Sequence, residues 1–166
     1  MNDLVEDKRE MPDIRTEATP SLRFAAHLAA AAEEEATRQG KAMGIAVVDR
    51  AGNLVVAVRM DGASPVALQL AIDKAFTAAA FNAPTDAWGE VTRPGGADWG
   101  LTSALAGRIV ILAGGLPLRA GGELIGALGV SGAAPSVDLA CARAGVAAGQ
   151  PALDADPSLV PLKPSN

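Results

Sequence analysis

The stretch Glu123-Leu124-Ile125-Gly126-Ala127-Leu128-Gly129-Val130-Ser131-Gly132 decides most about the fold of this chain. Gly126 and Gly129 lie inside an apolar run with the pattern of a β-strand. A dinucleotide-binding loop instead places its glycines in the turn between a strand and a helix. The register therefore favours glycines that let a helix pack closely on the strand. A nucleophile elbow at Ser131 is excluded, because the second glycine falls one position early and no histidine follows.

The residues on either side extend this strand into a larger unit. Upstream, the sequence predicts one strand at Arg108–Leu112 and another at Gly115–Arg119, with a glycine turn before Glu123. Downstream, a helix is expected from about Pro135 to Ala148, ended by Gly149. Ser131-Gly132 leads towards the start of that helix, where backbone N–H groups can bind a carboxylate. The alternative is a plain turn.

The N-terminal half reads as helix, hairpin and helix. Thr19-Pro20-Ser21 opens a helix that runs to about Gln39. Met43–Asp49 and Leu54–Arg59 form a hairpin, and Ser64-Pro65 caps a second helix ending near Asn82. The order α-β-β-α-β-β-β-α predicts an α/β (α+β) fold in which helices flank a five-stranded antiparallel sheet.

Length, net charge, hydropathy and cysteine count limit which class of protein this can be. The 166 residues predict a charged, disordered tail at 1–18, one domain at 19–149 and a Pro-rich arm at 150–166. The net charge of −5 argues against nucleic-acid binding. The sequence shows no signal peptide and no run near the ~20 apolar residues of a membrane helix. With Cys141 as the single cysteine, we expect a cytoplasmic protein without an internal disulfide.

The second helix is apolar almost all round, apart from a stripe of Gln69, Asp73 and Thr77 with Lys74 beside it. Such a helix is buried on more than one side. The sheet can cover only one side, so we expect a partner subunit, and hence a homo-oligomer.

Lone charges on an apolar helix are costly to bury unpaired. Burial would lower the pKa of Lys74, and Lys74 or Asp73 could then transfer protons or bind a carboxylate. The alternative is a structural ion pair with Asp49 or Asp61. Arg59, at the end of the second strand, joins the same site or is simply solvated.

Three further side chains are candidates for ligand binding. Trp88 and Trp99 lie in the Gly- and Pro-rich stretch 83–106, where they wall a flat ligand or anchor the loop. His27 is the only histidine, so it is the sole imidazole available as a metal ligand. It falls on the polar face of its helix, which favours a solvent-facing or interface residue instead.

Four pieces of sequence occur in an order that is typical of one family. They are Val48–Leu54 with Arg59–Ala63, Ala71–Ala78, Gly114–Pro117, and Gly126–Gly132 with Asp138. In these pieces the chain is similar to the GlcG/HbpS-like proteins, the haem-degrading or haem-binding domain family, and to the C-terminal domain of PduO-type proteins. The resemblance implies a profilin-like sandwich, a homo-oligomer from dimer to octamer, and haem or a corrinoid as ligand, with His27 as a possible axial ligand of haem. Many members accompany enzymes of catabolic pathways.

Together these features predict a protein that binds a small ligand, by resemblance haem or another tetrapyrrole. The expected pocket lies between the second helix, the Gly114–Pro117 turn and the tryptophan loop. Two alternatives stay open: a cofactor-free isomerase, hydratase or lyase acting on a small carboxylate through Lys74 or Asp73, and a non-catalytic partner of a catabolic enzyme. The expected ligand-binding residues are Arg59, Lys74, Thr77, Trp88, Trp99, Gly114, Gly115 and Ser131.

Overall fold

The computed structural model describes residues 17–154; the charged N-terminal tail and most of the Pro-rich arm fall outside them. One antiparallel sheet, with strand order β2-β1-β4-β3, forms the centre of the fold. Helices α1 and α4 pack on one face and α2 packs on the other. The elements are α1 Leu22–Arg38, β1 Gly44–Asp49, β2 Leu54–Arg59, α2 Pro65–Phe81, a 3-10 helix Thr85–Trp88, α3 Gly89–Thr92, a second 3-10 helix Leu101–Gly107, β3 Gly115–Ala120, β4 Glu123–Ser131 and α4 Pro135–Leu153.

The first helix and the hairpin form where the sequence predicts them. The Ser21 side chain accepts a hydrogen bond from the Phe24 N–H at 3.2 Å and so caps α1. Helix α4 extends four residues beyond the predicted stop. Gly149 does not end it, because this glycine is buried against α1, where a Cβ would lie 2.9 Å from the Phe24 ring. The first residues assigned to the Pro-rich arm are therefore helical.

Two glycines of the sheet allow the backbone of α2 to pack directly against the strands. A Cβ at Gly44 would lie 2.5 Å from Leu68 Cα. A Cβ at Gly129 would overlap the Ala71 carbonyl oxygen and lie 2.6 Å from the Ala75 nitrogen. This geometry confirms that Gly129 serves close helix packing. The same layer is built from small side chains, so the helix backbone lies close to the strands; its buried members are Ala46, Val48, Ala71, Ala75, Ala78, Ala79 and Ala127.

The prediction of a strand at Arg108–Leu112, the third of the five expected, is wrong, because the sheet in the described residues has four strands and does not include this segment. Thr77 accepts a hydrogen bond from the Val110 N–H at 3.0 Å. The Arg108 guanidinium lies 3.6 Å from the centre of the Phe76 ring and 3.5 Å from an Asp73 oxygen. Residues of α2 thus hold the segment Arg108–Val110 against the helix. The segment covers part of the α2 surface that we expected a partner subunit to cover.

Within residues 17–154, no helix is both long enough and apolar enough to cross a membrane.

Candidate functional site

Lys74 forms a buried ion pair that links α2 to α4. Its side chain is 1% exposed, and Nζ donates to Asp138 Oδ2 at 2.7 Å and to the Val130 carbonyl at 3.0 Å. Asp138 Oδ1 accepts the Ala133 N–H at 2.9 Å. The partner is therefore not Asp49 or Asp61, the carboxylates considered from the sequence.

Burial lowers the pKa of Lys74, while the hydrogen bond and the charge of Asp138 oppose that shift. Gly114, at φ +118°, closes over the pair: a Cβ there would lie 3.2 Å from Lys74 Nζ and 2.9 Å from Asp138 Cβ. No space for a substrate remains on that side of the ammonium group. In this arrangement the pair fastens two helices together.

The anion site expected at the start of α4 holds a carboxylate of the chain itself. Asp138 accepts the Ala133 N–H, and Ser131 just before it is 4% exposed. The Gly115 N–H, at another of the expected ligand-binding residues, donates to Thr85 Oγ1 at 3.1 Å. The Ala133 N–H therefore helps to join β4 to α4, and the Gly115 N–H joins β3 to the first 3-10 helix.

The other polar residues of the predicted site lie apart from Lys74. Asp73 accepts from Gln69 at 2.9 Å and pairs with Arg108. Thr77 is fully buried beneath the Arg108–Val110 segment. Arg59 is exposed at the end of β2 and donates to the Ala63 carbonyl at 3.4 Å. The structure thus brings Asp73 and Thr77 together but leaves Arg59 separate.

The two tryptophans have different surroundings. Trp88 packs on Phe81 of α2, with ring centres 4.5 Å apart. Its indole N–H is buried and has no hydrogen-bond acceptor within residues 17–154. Trp99 is 68% exposed. Trp88 therefore anchors the loop to α2, while Trp99 projects into solvent.

His27 lies exposed on the outer face of α1, as its position on the polar face of the helix predicts. Its Nε2 is 3.2 Å from the Ala148 carbonyl oxygen of α4. In residues 17–154, no group of three or more His, Cys, Asp and Glu side chains is arranged to hold a metal ion. Axial ligation of a cofactor iron, which needs one side chain, remains open to His27.

One cleft shares two of the three walls expected for the pocket, the Gly114–Pro117 turn and the tryptophan loop, but its third wall is α4 and not α2. The α4 wall was not predicted. The cleft measures about 320 Å³ and opens between the first 3-10 helix, β3 and α4. Leu139 and Arg143 are four residues apart, so they share one helix face; that spacing was the available signal. The lining residues are Pro84, Asp86, Ala87, Leu116, Leu139 and Arg143.

The fold and these sites define a small α+β protein in which a four-stranded antiparallel sheet lies between helices and a buried Lys–Asp pair joins two of them. The chain belongs to the family described as haem-degrading protein HbpS-like, whose family model matches residues 21–147. The resemblance noted from the sequence is thereby confirmed.

Curated relatives support the same assignment. GlcG of Escherichia coli K12 is 34% identical over 118 residues, which cover 71% of this chain and 85% of that protein. The corrinoid adenosyltransferase PduO of Salmonella typhimurium LT2 is 38% identical over 121 residues. These cover 73% of this chain but only 36% of PduO. This chain therefore spans about a third of PduO.

Solved structures show the same fold. Klebsiella pneumoniae ORFY matches with a TM-score of 0.82 and 32% identity, over 84% of this chain and 97% of that chain. The PduOC:heme complex matches with a TM-score of 0.76 and 36% identity, over 79% of this chain and 95% of that chain.

Proposed function

We propose that this protein binds haem or a closely related tetrapyrrole. The observation that carries the proposal is the likeness to the PduOC:heme complex, at 36% identity and a TM-score of 0.76 over 95% of that chain. Lys74 is 1% exposed and its ammonium group is paired with Asp138, so we do not place the ligand beside it. We therefore assign the ligand to the outer surface of the domain.

The residues around His27 fit a haem group. His27 supplies an exposed imidazole, in which Nε2 lies 3.2 Å from the Ala148 carbonyl oxygen and Nδ1 is left to bind haem iron; histidine is an axial ligand of haem in several protein classes. The neighbouring Ala26 and Ala30 are exposed and small, so a flat macrocycle can approach the helix. Arg23, one turn earlier, is placed to pair with a propionate. When bound, haem would supply an iron able to carry a further small ligand.

A titration of the full-length protein with haemin tests this proposal. We expect a saturable Soret band distinct from that of free haemin, and we expect His27→Ala to shift the band and weaken binding about tenfold or more. Met60→Leu is the matched control. Met60 offers a sulfur ligand, but that atom already accepts the Met43 N–H at 3.3 Å, so its loss should leave the band unchanged. An unchanged haemin spectrum, or a His27→Ala spectrum identical to wild type, contradicts the proposal.

We further propose that the chain forms a homo-oligomer, between a dimer and an octamer. Seven large apolar side chains are exposed on the part of the chain that the structure describes, and burying those that face a second copy would stabilise an assembly. Light scattering should give a mass of at least twice the 16.7 kDa of the chain. A mass of 16.7 kDa at micromolar concentration would exclude the assembly. The side chains concerned are Leu22, Leu54, Val66, Val91, Trp99, Leu105 and Leu112.

A further inference from the structure

The cleft between the first 3-10 helix, β3 and α4 combines apolar walls with two opposite charges. Leu116 and Leu139 contribute apolar surface, while Asp86 and Arg143 contribute a carboxylate and a guanidinium. Its volume of about 320 Å³ lies at the lower end of the range for small-molecule sites, about 300–1,000 Å³. The shape therefore suits a compact organic molecule.

Buried polar contacts fix the walls of this cleft. Thr85, fully buried, donates to the Leu112 carbonyl at 2.6 Å and accepts from the Gly115 N–H at 3.1 Å. These bonds tie the 3-10 helix to the start of β3. On the opposite wall, the Lys74–Asp138 pair holds the first turn of α4, directly before Leu139. The backbone segments that carry the lining residues are thus held in place before any ligand arrives, which lowers the entropic cost of binding.

The two charges in the cleft have no partner within residues 17–154. Asp86 and Arg143 line the same space, yet neither forms an ion pair or a side-chain hydrogen bond there. Both side chains are exposed, so each is available to a ligand. A ligand bearing both a carboxylate and a donor group could satisfy both residues at once.

We propose that this cleft binds a small amphoteric molecule, with its carboxylate on Arg143, its ammonium group on Asp86 and its apolar body against Leu116 and Leu139. This site is separate from the surface around His27, and its ligand belongs to a different chemical class from a tetrapyrrole.

Nuclear magnetic resonance of the full-length protein tests the site with leucine as the zwitterionic probe. We expect saturable shifts of the amides of Ala87, Leu116 and Leu139. Arg143→Gln and Asp86→Asn should each weaken binding about tenfold or more, because each removes one charge-assisted hydrogen bond. Two analogues with one charge each, 4-methylpentanoate and 3-methylbutylamine, should bind more weakly than leucine.

Arg93→Gln is the matched control, because it removes a loop arginine outside the cleft and should leave binding unchanged. His27→Ala should also leave leucine binding unchanged, so the proposals for the haem site and for the cleft are tested separately. The proposal is overturned if leucine causes no saturable shift at concentrations up to about 10 mM, ten times a dissociation constant of 1 mM. It is overturned equally if both cleft variants bind leucine like wild type, or if an analogue with one charge matches it.

Discussion

Gly129→Ala is expected to destabilise the fold by about 3 kcal/mol or more, at the upper end of the cost of overpacking a core. The added methyl group would overlap the Ala71 carbonyl oxygen and lie 2.6 Å from the Ala75 nitrogen. Both atoms belong to the backbone of α2, so no side-chain rotation can relieve the contact. The helix must move away from the sheet, and its alanine contacts with β1 and β4 then loosen together.

Urea unfolding measures this effect, with Gly89→Ala as the matched control. Gly89 has a helical φ of −56°, and an added Cβ there would meet no atom within 4 Å. Its replacement should therefore be neutral or slightly stabilising. Equal unfolding midpoints for Gly129→Ala and wild type would contradict the close seating of α2 on the sheet.

Lys74→Met is expected to cost about 3–5 kcal/mol, because it leaves the Asp138 carboxylate buried without its cation. Replacing Asp138 by Asn in the same chain removes that charge and should restore part of the loss. Unfolding curves of the two single variants and the double variant form the measurement. If Lys74 served only as a proton carrier in catalysis, Lys74→Met would keep wild-type stability.

The pH dependence of stability gives a second measurement on the same pair. Because burial lowers the pKa of Lys74, the unfolded chain holds more protons than the folded chain between that lowered value and 10.5. The contribution of Lys74 to the free energy of unfolding should therefore rise with pH across this window, while the raised pKa of the buried Cys141 thiol acts in the opposite direction in both proteins. Lys74→Met should show a smaller rise. The chain has no tyrosine, so phenol ionisation does not obscure the comparison. Parallel profiles for the two proteins would refute the shift.

Local patterns predicted most of the fold. The cap at Ser21, the hairpin and the apolar α2 all depend on short-range signals that the structure confirms. The prediction failed at the segment Arg108–Leu112. Its β-branched residues favour a strand, but a backbone N–H of the segment can also donate to a side-chain hydroxyl on a neighbouring helix. Thr77 supplies that hydroxyl to Val110 from 33 positions away. Such tertiary competition is invisible to a local pattern.

The candidate site shows the same limit. The sequence marked Lys74 as a charge in an apolar setting, and the structure gives it a partner 64 positions away. Asp138 was noted only as part of the family resemblance, since nothing in its own neighbourhood predicts a contact with α2. The cleft around Leu116 and Arg143 joins three elements and has no continuous sequence signature.

We propose that a tetrapyrrole binds on the outer surface of α1 and not beside Lys74. Amide chemical shifts, recorded while the full-length protein is titrated with the diamagnetic tetrapyrrole zinc protoporphyrin, locate the bound ligand. We expect saturable shifts at His27, Ala30 and Ala148. No saturable shift at any amide, or shifts at Lys74, Gly114 and Gly115 with none near His27, would contradict the proposal.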